Sequence, residues 1–164
     1  MDKTDTIERA KRLRREDSLE ESQELLFELL SEYPDDPEVL FEVGGSFDVM
    51  GLEPEAMPYY RQAIDSGLEG EALAECLICL GSSQRLVGDF QDAVDTLEEA
   101  VEEFPESESA KAFLALAYYS NEQYTESVSL LLDLIVRTSN DDELRVYGDT
   151  LDYFKDNLDE QWEE

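Results

Sequence analysis

A pattern of small and apolar residues recurs along this chain at intervals of 34 residues. Gly81 and Ala115 are 34 positions apart, Ala10 lies 34 before Gly44, and Gly44 precedes Gly81 by 37. The longer interval contains the segment DSGLEGEAL, which carries a three-residue insertion. A unit of this length buries its apolar face only against its neighbours, so the pattern predicts an array of stacked repeats.

Each repeat contains two segments with helical periodicity. The segment ESQELLFELLSEY places four leucines on one stripe, and FQDAVDTLEEAVEEF repeats this with Val94, Leu97, Ala100 and Val101. Prolines 34, 37, 54 and 105 fall between such segments, and the alternation typical of strands is missing. The sequence therefore predicts an all-α fold of helical hairpins.

Aligned on the glycines, the repeats resemble the tetratricopeptide pattern W-x2-L-G-x2-Y…A-x3-F…P. The third repeat matches with Leu77, Leu80, Gly81, Ala93, Leu97, Ala100 and Pro105. The second matches with Leu40, Val43, Gly44, Phe47, Ala56, Tyr60 and Ala63. The first and last repeats are degenerate, as expected at the ends of an array. The chain thus resembles tetratricopeptide-repeat proteins over residues 3 to 139, and more narrowly the small stand-alone bacterial members of unassigned function.

The resemblance implies one domain over residues 1–164, a helical-hairpin solenoid of about four repeats. The repeats are expected at residues 3–36, 37–70, 74–107 and 108–140. Apolar positions continue at helical spacing through residues 141–159. They predict one C-terminal helix that caps the exposed apolar edge of the last repeat.

Glycines inside the predicted helices need a structural reason, because each costs about 1 kcal/mol relative to alanine. We expect Gly44, Gly45 and Gly81 to let the second helix of the hairpin approach closely. Small partners there would be Ala56, Ala63, Ala93 and Ala100. Gly51 and Gly88 are expected in the turns of the hairpins, where a positive φ is useful.

The cysteines form a C-x-x-C motif, Cys76 and Cys79, within the first helix of the third repeat. A zinc site needs four ligands, and the chain has no histidine and no further cysteine. A redox motif needs a βαβ context, which the helical pattern excludes. The cysteines are therefore interpreted as packing residues. A metal shared between two chains stays open as the lesser alternative.

The charge is extreme, with 43 acids against 12 bases and a net of −31. Such a charge repels nucleic-acid phosphates and anionic membranes, so neither is expected as a partner. Half of the bases lie within the first 15 residues. Three explanations of the acidity stay open: a solvated surface, adaptation to a salty cytoplasm, or a basic partner. The charged N-terminus lacks a secretory apolar segment, so a cytoplasmic location is expected.

No pattern of catalytic or cofactor-binding residues is present. The sequence has no histidine, no phosphate-binding G-x-x-x-x-G-K-[ST] loop and no calcium loop of the form D-x-[DN]-x-[DN]-G. We therefore expect neither an enzyme nor a bound cofactor or metal.

The resemblance implies a peptide-binding groove, because the first helix of each hairpin lines the concave side in tetratricopeptide proteins. Carrying the family's positions onto this register predicts a groove formed by Lys11, Arg14, Arg15, Phe41, Asp48, Val49, Ile78, Ser82, Arg85, Leu86, Leu116 and Tyr119. The full set of twenty groove positions, which also includes Glu38 and Glu75, holds four bases and three acids. The groove is therefore expected to be nearly neutral, although the chain as a whole is strongly acidic.

Two functions remain open. The first is an adaptor that binds a partner's peptide in the groove. The second is an acidic, chaperone-like holder of a basic or secreted client. Self-association through an uncovered end or the groove is a third option. Chaperone tails are not expected as ligands, because Ile7 and Phe41 occupy places where that subclass has lysine.

Overall fold

The computed structural model describes residues 2–162, which contain ten α-helices and no strand. The helices are α1 (Lys3–Arg15), α2 (Leu19–Glu32), α3 (Pro37–Asp48), α4 (Glu53–Asp65), α5 (Gly70–Val87), α6 (Phe90–Glu103), α7 (Glu108–Ser120), α8 (Tyr124–Thr138), α9 (Asp142–Val146) and α10 (Gly148–Lys155). The predicted all-α class is confirmed. Within the described residues, no helix is both long and apolar enough to cross a membrane.

The first eight helices form four hairpins: α1–α2, α3–α4, α5–α6 and α7–α8. Each second helix packs on the first helix of the next hairpin, through the pairs α2–α3, α4–α5 and α6–α7. Successive first helices also contact each other, through α1–α3, α3–α5 and α5–α7. The first helices are therefore the inner layer of a solenoid, as predicted.

The core is continuous along the stack. One cluster joins α1, α2 and α3 around Ile7, Leu26 and Val43. The next joins α3, α4 and α5 around Leu40 and Tyr60. Two further clusters join α5, α6 and α7 around Leu77, Val94, Leu97, Ala100 and Leu114. Because each cluster spans two hairpins, no hairpin buries its apolar face alone.

All four hairpin turns use one left-handed backbone position. The residues are Asp17, Gly51, Gly88 and Glu122, with φ of 62°, 72°, 92° and 61°. They follow one another at intervals of 34, 37 and 34 residues, as the helices do. The expectation of positive φ is thus confirmed for Gly51 and Gly88. The end hairpins keep the same turn without a glycine.

Gly44 and Gly81 allow the close helix contact that the sequence predicts. A Cβ added to Gly44 would lie 2.7 Å from the ring of Tyr60, and one added to Gly81 would lie 2.5 Å from Cγ of Leu97. The glycines thus make room mainly for large side chains of the second helix, and Gly44 also lies close to Ala56, whose main-chain oxygen would be 3.4 Å from the added Cβ. The expectation is wrong for Gly45, whose added Cβ would instead meet the guanidinium of Arg14 at 3.2 Å.

The third repeat begins earlier than the expected residue 74. Helix α5 starts at Gly70 and has 18 residues, compared with 12 in α3 and 13 in α7. Gly70 takes a φ of +65° after the extended residue Glu69. The inserted residues are therefore absorbed as an extra turn at the start of α5.

The prediction of a single C-terminal helix over residues 141–159 is wrong. The segment forms two short helices, α9 and α10, with Tyr147 between them. Gly148 follows this break, and glycine is the weakest helix former after proline. Neither helix contains a buried residue, so packing does little to hold a continuous helix together.

The tail covers the last repeat only in part. Helix α10 packs on α8, yet Val128 and Leu131 of α8 remain 45% and 40% exposed. Their counterparts in the preceding repeat, Val94 and Leu97, are 2% and 0% exposed. In that repeat α7 packs on α6, whereas α8 has no complete hairpin against it. The α8 face therefore remains partly open.

Candidate functional site

The inner groove is the surface formed by the first helices, α1, α3, α5 and α7. All twelve residues that the sequence assigns to a peptide-binding site lie on these four helices or at their ends. The repeat register thus places a few of these residues on each of the four helices. Their surroundings nevertheless differ strongly from one end of the groove to the other.

At the α1 end, two predicted groove bases are held by an internal acid. Nζ of Lys11 lies 3.3 Å from Oε1 of Glu42, and Nη2 of Arg14 lies 3.1 Å from Oε2. Arg14 also donates to the main-chain oxygen of Glu42 at 3.3 Å. Burial lowers the pKa of the Lys11 amine, but Glu42 outweighs this and raises it above its ordinary value. These bases hold α1 against α3.

In the middle of the groove, two predicted residues support the core. The ring of Phe41 packs on the ring of Tyr60, with centroids 5.9 Å apart. The Tyr60 hydroxyl donates to Oδ2 of Asp48 at 2.7 Å. Burial, with the nearby Cys79 thiol and Asp48 carboxylate, raises the pKa of Tyr60 well above its usual range. Val49 is exposed.

Accessible apolar side chains gather at the other end, where α5 and α7 finish. Leu86 is 58% exposed and Tyr119 is 64% exposed, and Leu116 lies one turn before Tyr119. The rings of Tyr119 and Tyr124 meet edge to face, with centroids 5.5 Å apart. Ile78 and Ser82 are half-buried on α5. This end therefore offers side chains that a ligand can reach.

Arg85 lies among these residues without an acidic partner. Its Nη1 donates to Oγ of Ser120 at 3.5 Å, which is a long contact, and its Nε is buried without a hydrogen bond. In the part of the chain that the structure describes, every other half-buried base has a carboxylate within 4 Å. Those bases are Lys3, Lys11, Arg14, Lys111 and Lys155. Arg15 also has no ion pair among the described residues, but it is exposed.

A cleft of about 570 Å³ opens at the opposite ends of α5 and α7, where these helices begin. Its rim carries the carboxylates of Glu71, Glu75 and Glu106. Its apolar lining comes from Ala74, Ile78 and Phe104, and Gly70, Ser107 and Ser109 complete it. No ion pair between described residues involves the three rim acids. The cleft is thus acidic at its edge and apolar inside.

The cysteines occupy packing positions on α5. Cys76 is fully buried, and its Sγ lies 3.6 Å from the main-chain oxygen of Tyr60. Burial raises the pKa of the Cys76 thiol to about 12 and that of Cys79 to about 11. Both thiols are therefore protonated at neutral pH, and a protonated thiol is a poor nucleophile. Residues 2–162 contain no group of three or more side chains suited to hold a metal.

Sequence reasoning missed acids at two places in the groove. Glu42 lies at the α1 end, and Glu71 and Glu106 lie in the cleft where α5 and α7 begin. Glu42 lies two positions before Gly44, and helical spacing alone gives no sign that it reaches back to α1. Glu71 and Glu106 lie outside the family's groove positions. The signal for Glu71 was the insertion DSGLEGEAL, which extends α5 and brings this residue to the cleft.

Solved structures that are similar to this fold include repeat proteins. MamA from Desulfovibrio magneticus RS-1, residues 41 to the end, aligns with 98% of this chain and 99% of its own, with a TM-score of 0.69 and 19% identity. A Podosopora anserina protein named as a kinesin light chain, with nearly identical TPR-like repeats, aligns over 95% and 87%, with a TM-score of 0.73 and 19% identity. At this identity the likeness concerns the fold alone.

No curated protein sequence matches the chain. A family model described as tetratrico peptide repeat does match, over residues 37–146. The match covers the second, third and fourth hairpins and all of α9, and it agrees with the stacking of hairpins described above. The chain belongs to the tetratricopeptide repeat family.

Proposed function

We propose that this protein is an interaction module that binds an extended segment of a partner protein in the inner groove between α5 and α7. One observation carries the proposal: exposed Leu86, Leu116 and Tyr119 lie near the ends of α5 and α7, where Arg85 is a half-buried base without a carboxylate partner. Apolar side chains around a charged group are a usual composition for an interaction hot spot.

The family supports this role, because tetratricopeptide proteins are typically protein–protein interaction modules and generally act as non-enzymatic scaffolds. The proposal gives this chain the same non-catalytic role. The net charge of −31 favours a protein partner over nucleic acid or an anionic membrane, both of which it would repel. A cytoplasmic location remains a prediction from the charged N-terminus.

The site that we propose is smaller than the groove that the sequence predicts. Lys11 and Arg14 are engaged with Glu42, and Asp48 accepts the Tyr60 hydroxyl. These groups would lose an internal partner if they turned to a ligand, and a buried group left unpaired costs free energy. The proposed site therefore comprises Ile78, Ser82, Arg85, Leu86, Leu116 and Tyr119.

The experiment that tests this function uses photocrosslinking. A benzophenone amino acid at position 119 is expected to capture a partner from an extract of the source cell. The same group at Glu99, exposed on α6, should not capture it. The captured protein is then purified and its affinity measured by calorimetry. Leu86→Asp should weaken binding by about tenfold or more if an apolar anchor sits there. Unchanged affinity would reject the groove.

The acidic holder remains the second candidate, because Glu99, Glu102 and Glu103 are exposed on α6, away from the inner groove. No ion pair between described residues involves these acids. Neutralising them together with Glu98 should slow association with a basic client and flatten its salt dependence. Under the groove proposal, the same change should leave the affinity for the captured partner unchanged.

A further inference from the structure

The groove between α5 and α7 carries opposite charges at its two ends. The acid-rimmed cleft lies where both helices begin, and Arg85 meets Ser120 where both helices end. We propose that the segment bound there carries a lysine or arginine at one end and an acidic residue about five residues away. This proposal rests on the proposed function and names the chemistry of its ligand.

The basic end calls for a carboxylate. A guanidinium has five N–H donors in a planar fork that matches a carboxylate, and such charged hydrogen bonds are the strong ones. Arg85 uses one long contact to Ser120, and its Nε is buried without a partner. The chain has 43 acidic residues, yet within residues 2–162 none lies within 4 Å of this guanidinium. The remaining Nη1 and Nη2 donors are available to a ligand, whereas the buried Nε is not.

The acidic end suits a long cationic side chain. Lysine and arginine bury an apolar stem and keep the charged head near water. The cleft offers an apolar interior for the stem and the carboxylates of Glu71, Glu75 and Glu106 for the head. The N-termini of α5 and α7 oppose a cation with about half a positive charge each. Three carboxylates outweigh these two half charges, so the rim stays net negative.

The distance between the two ends sets the spacing within the ligand. Glu75 and Arg85 are ten residues apart on α5, which corresponds to about 15 Å along the helix axis. An extended chain advances about 3.3 Å per residue, so about five residues bridge this distance. Ile78, Ala112 and Leu116 lie between the ends on α5 and α7. The intervening ligand residues should therefore include apolar ones.

A selection from random peptides tests the spacing without a known partner. Phage-displayed peptides of about 12 residues, long enough to span the groove, are selected on the intact protein. The enriched peptides should carry an acid and a base separated by roughly four to six residues. Synthetic copies labelled with fluorescein then give dissociation constants by anisotropy.

Charge reversal assigns each end. Arg85→Glu should weaken the binding of a selected peptide by about tenfold or more. Changing the peptide's acid to lysine should restore binding to this variant. The matched control is Arg61→Glu, which changes the net charge equally from an exposed site on α4 and should have no effect. Arg85→Gln gives a second variant if circular dichroism finds that Arg85→Glu is unfolded.

The cleft has its own matched pair of variants. Replacing Glu71, Glu75 and Glu106 by glutamine should weaken the binding of the same peptides by about tenfold. Replacing Glu99, Glu102 and Glu103 of α6 removes the same charge elsewhere and should not. Equal losses in both triple variants would mean general attraction to an acidic surface and would overturn the proposal.

Two further outcomes would also overturn it: no enrichment, or enriched peptides that lack the paired charges. If such peptides still lose binding with Leu86→Asp, the groove function stands and only the charge pattern fails. If they bind independently of Leu86, Arg85 and the cleft, both proposals fail.

Discussion

Glu122 takes a left-handed backbone position that two other hairpins give to glycine. Its φ is 61°, and its counterparts are Gly51, Gly88 and Asp17. Side chains with a Cβ are strained there by about 1–2 kcal/mol, and aspartate tolerates the position better than glutamate. Among these four turns, the strain should therefore be greatest at Glu122. The fourth hairpin keeps the repeat geometry although its sequence opposes it.

Replacing Glu122 by glycine should stabilise the protein by about 0.5–1 kcal/mol. Relief of strain exceeds the extra chain entropy that glycine adds to the unfolded state. Urea denaturation measures the change. Glu122→Ala removes the same charge and retains the strain, so it should gain less, through reduced charge repulsion alone. An equal gain from alanine would assign the effect to charge repulsion instead.

The two cysteines should make the free energy of unfolding depend on pH in the alkaline range. Burial raises the pKa of Cys76 to about 12 and that of Cys79 to about 11, compared with about 8.5 in an unfolded chain. The folded state therefore binds these protons more tightly, and their contribution is complete below about pH 8.5. It is lost as pH rises toward the folded values, at about 1.4 kcal/mol per pH unit for each thiol.

The variant with both cysteines changed to alanine should lose stability less steeply above about pH 8.5 than the wild type. Urea denaturation measures both slopes between about pH 8 and 9.5, below the range where tyrosine ionises in an unfolded chain, because Cys79 also influences Tyr60. Identical slopes would mean that the thiols ionise in the folded state as easily as in the unfolded one.

At the scale of helices, the contact between α5 and α6 depends on Gly81. An added Cβ would lie 2.5 Å from Cγ of Leu97, a residue with no exposed surface. Gly81→Val should therefore destabilise the protein by about 1–3 kcal/mol, the usual cost of overpacking. Thermal or urea unfolding measures the loss. An unchanged midpoint would contradict the close approach.

Two companion variants isolate the cause. Leu97→Ala should remove part of the clash, so the double variant should be less destabilised than the sum of the single changes. Gly148→Ala is the control, because nothing lies within 4 Å of its added Cβ. This substitution should be neutral or stabilising, since alanine favours a helix by about 1 kcal/mol over glycine.

Periodicity predicts elements well and side-chain partners poorly. The interval of 34 residues predicts the hairpins, the turns at Gly51 and Gly88, and the contact at Gly81, because these follow from backbone geometry. The resemblance to tetratricopeptide proteins, not the interval itself, implies that the groove residues lie on the first helices. The left-handed turns at Asp17 and Glu122 lie at the same intervals, but neither residue marks a turn in the sequence as glycine does.

The rest depends on contacts between separate repeats. Glu42 holds Lys11 and Arg14 across the gap between α1 and α3, so two predicted ligand-binding bases serve the fold instead. The break at Tyr147 depends on how little of the tail is buried, which no local pattern reveals. Only three-dimensional packing distinguishes Arg85 from Arg14, which occupy the same register position.

Over the whole molecule, charge repulsion opposes the folded state. Even if each of the 12 bases paired with one acid, 31 acids would remain without a base. Salt screens such repulsion, and the screening length falls from about 30 Å at 0.01 M to about 8 Å at 0.15 M. The folded state should therefore become more stable as salt is added.

Sodium chloride added from about 0.01 M to about 0.5 M should raise the melting temperature. Each kcal/mol gained corresponds to roughly 2–4 °C for a chain of this size. A variant with Glu98, Glu99, Glu102 and Glu103 changed to glutamine should melt higher at low salt and gain less from added salt. A flat curve for the wild type would mean that local pairing already balances the acids.

The partly open face of α8 makes it easier to add a further hairpin at this end of the array than at the other. Val128, Leu131 and Ile135 occupy positions that the following hairpin covers one repeat earlier, at Val94, Leu97 and Val101. A duplicated hairpin inserted between α8 and α9 would find an apolar surface already in place. At the other end, α1 exposes the charged side chains of Asp5, Arg9 and Arg12, so a new repeat there would first need substitutions. Gene duplication can thus lengthen this solenoid more readily from one side.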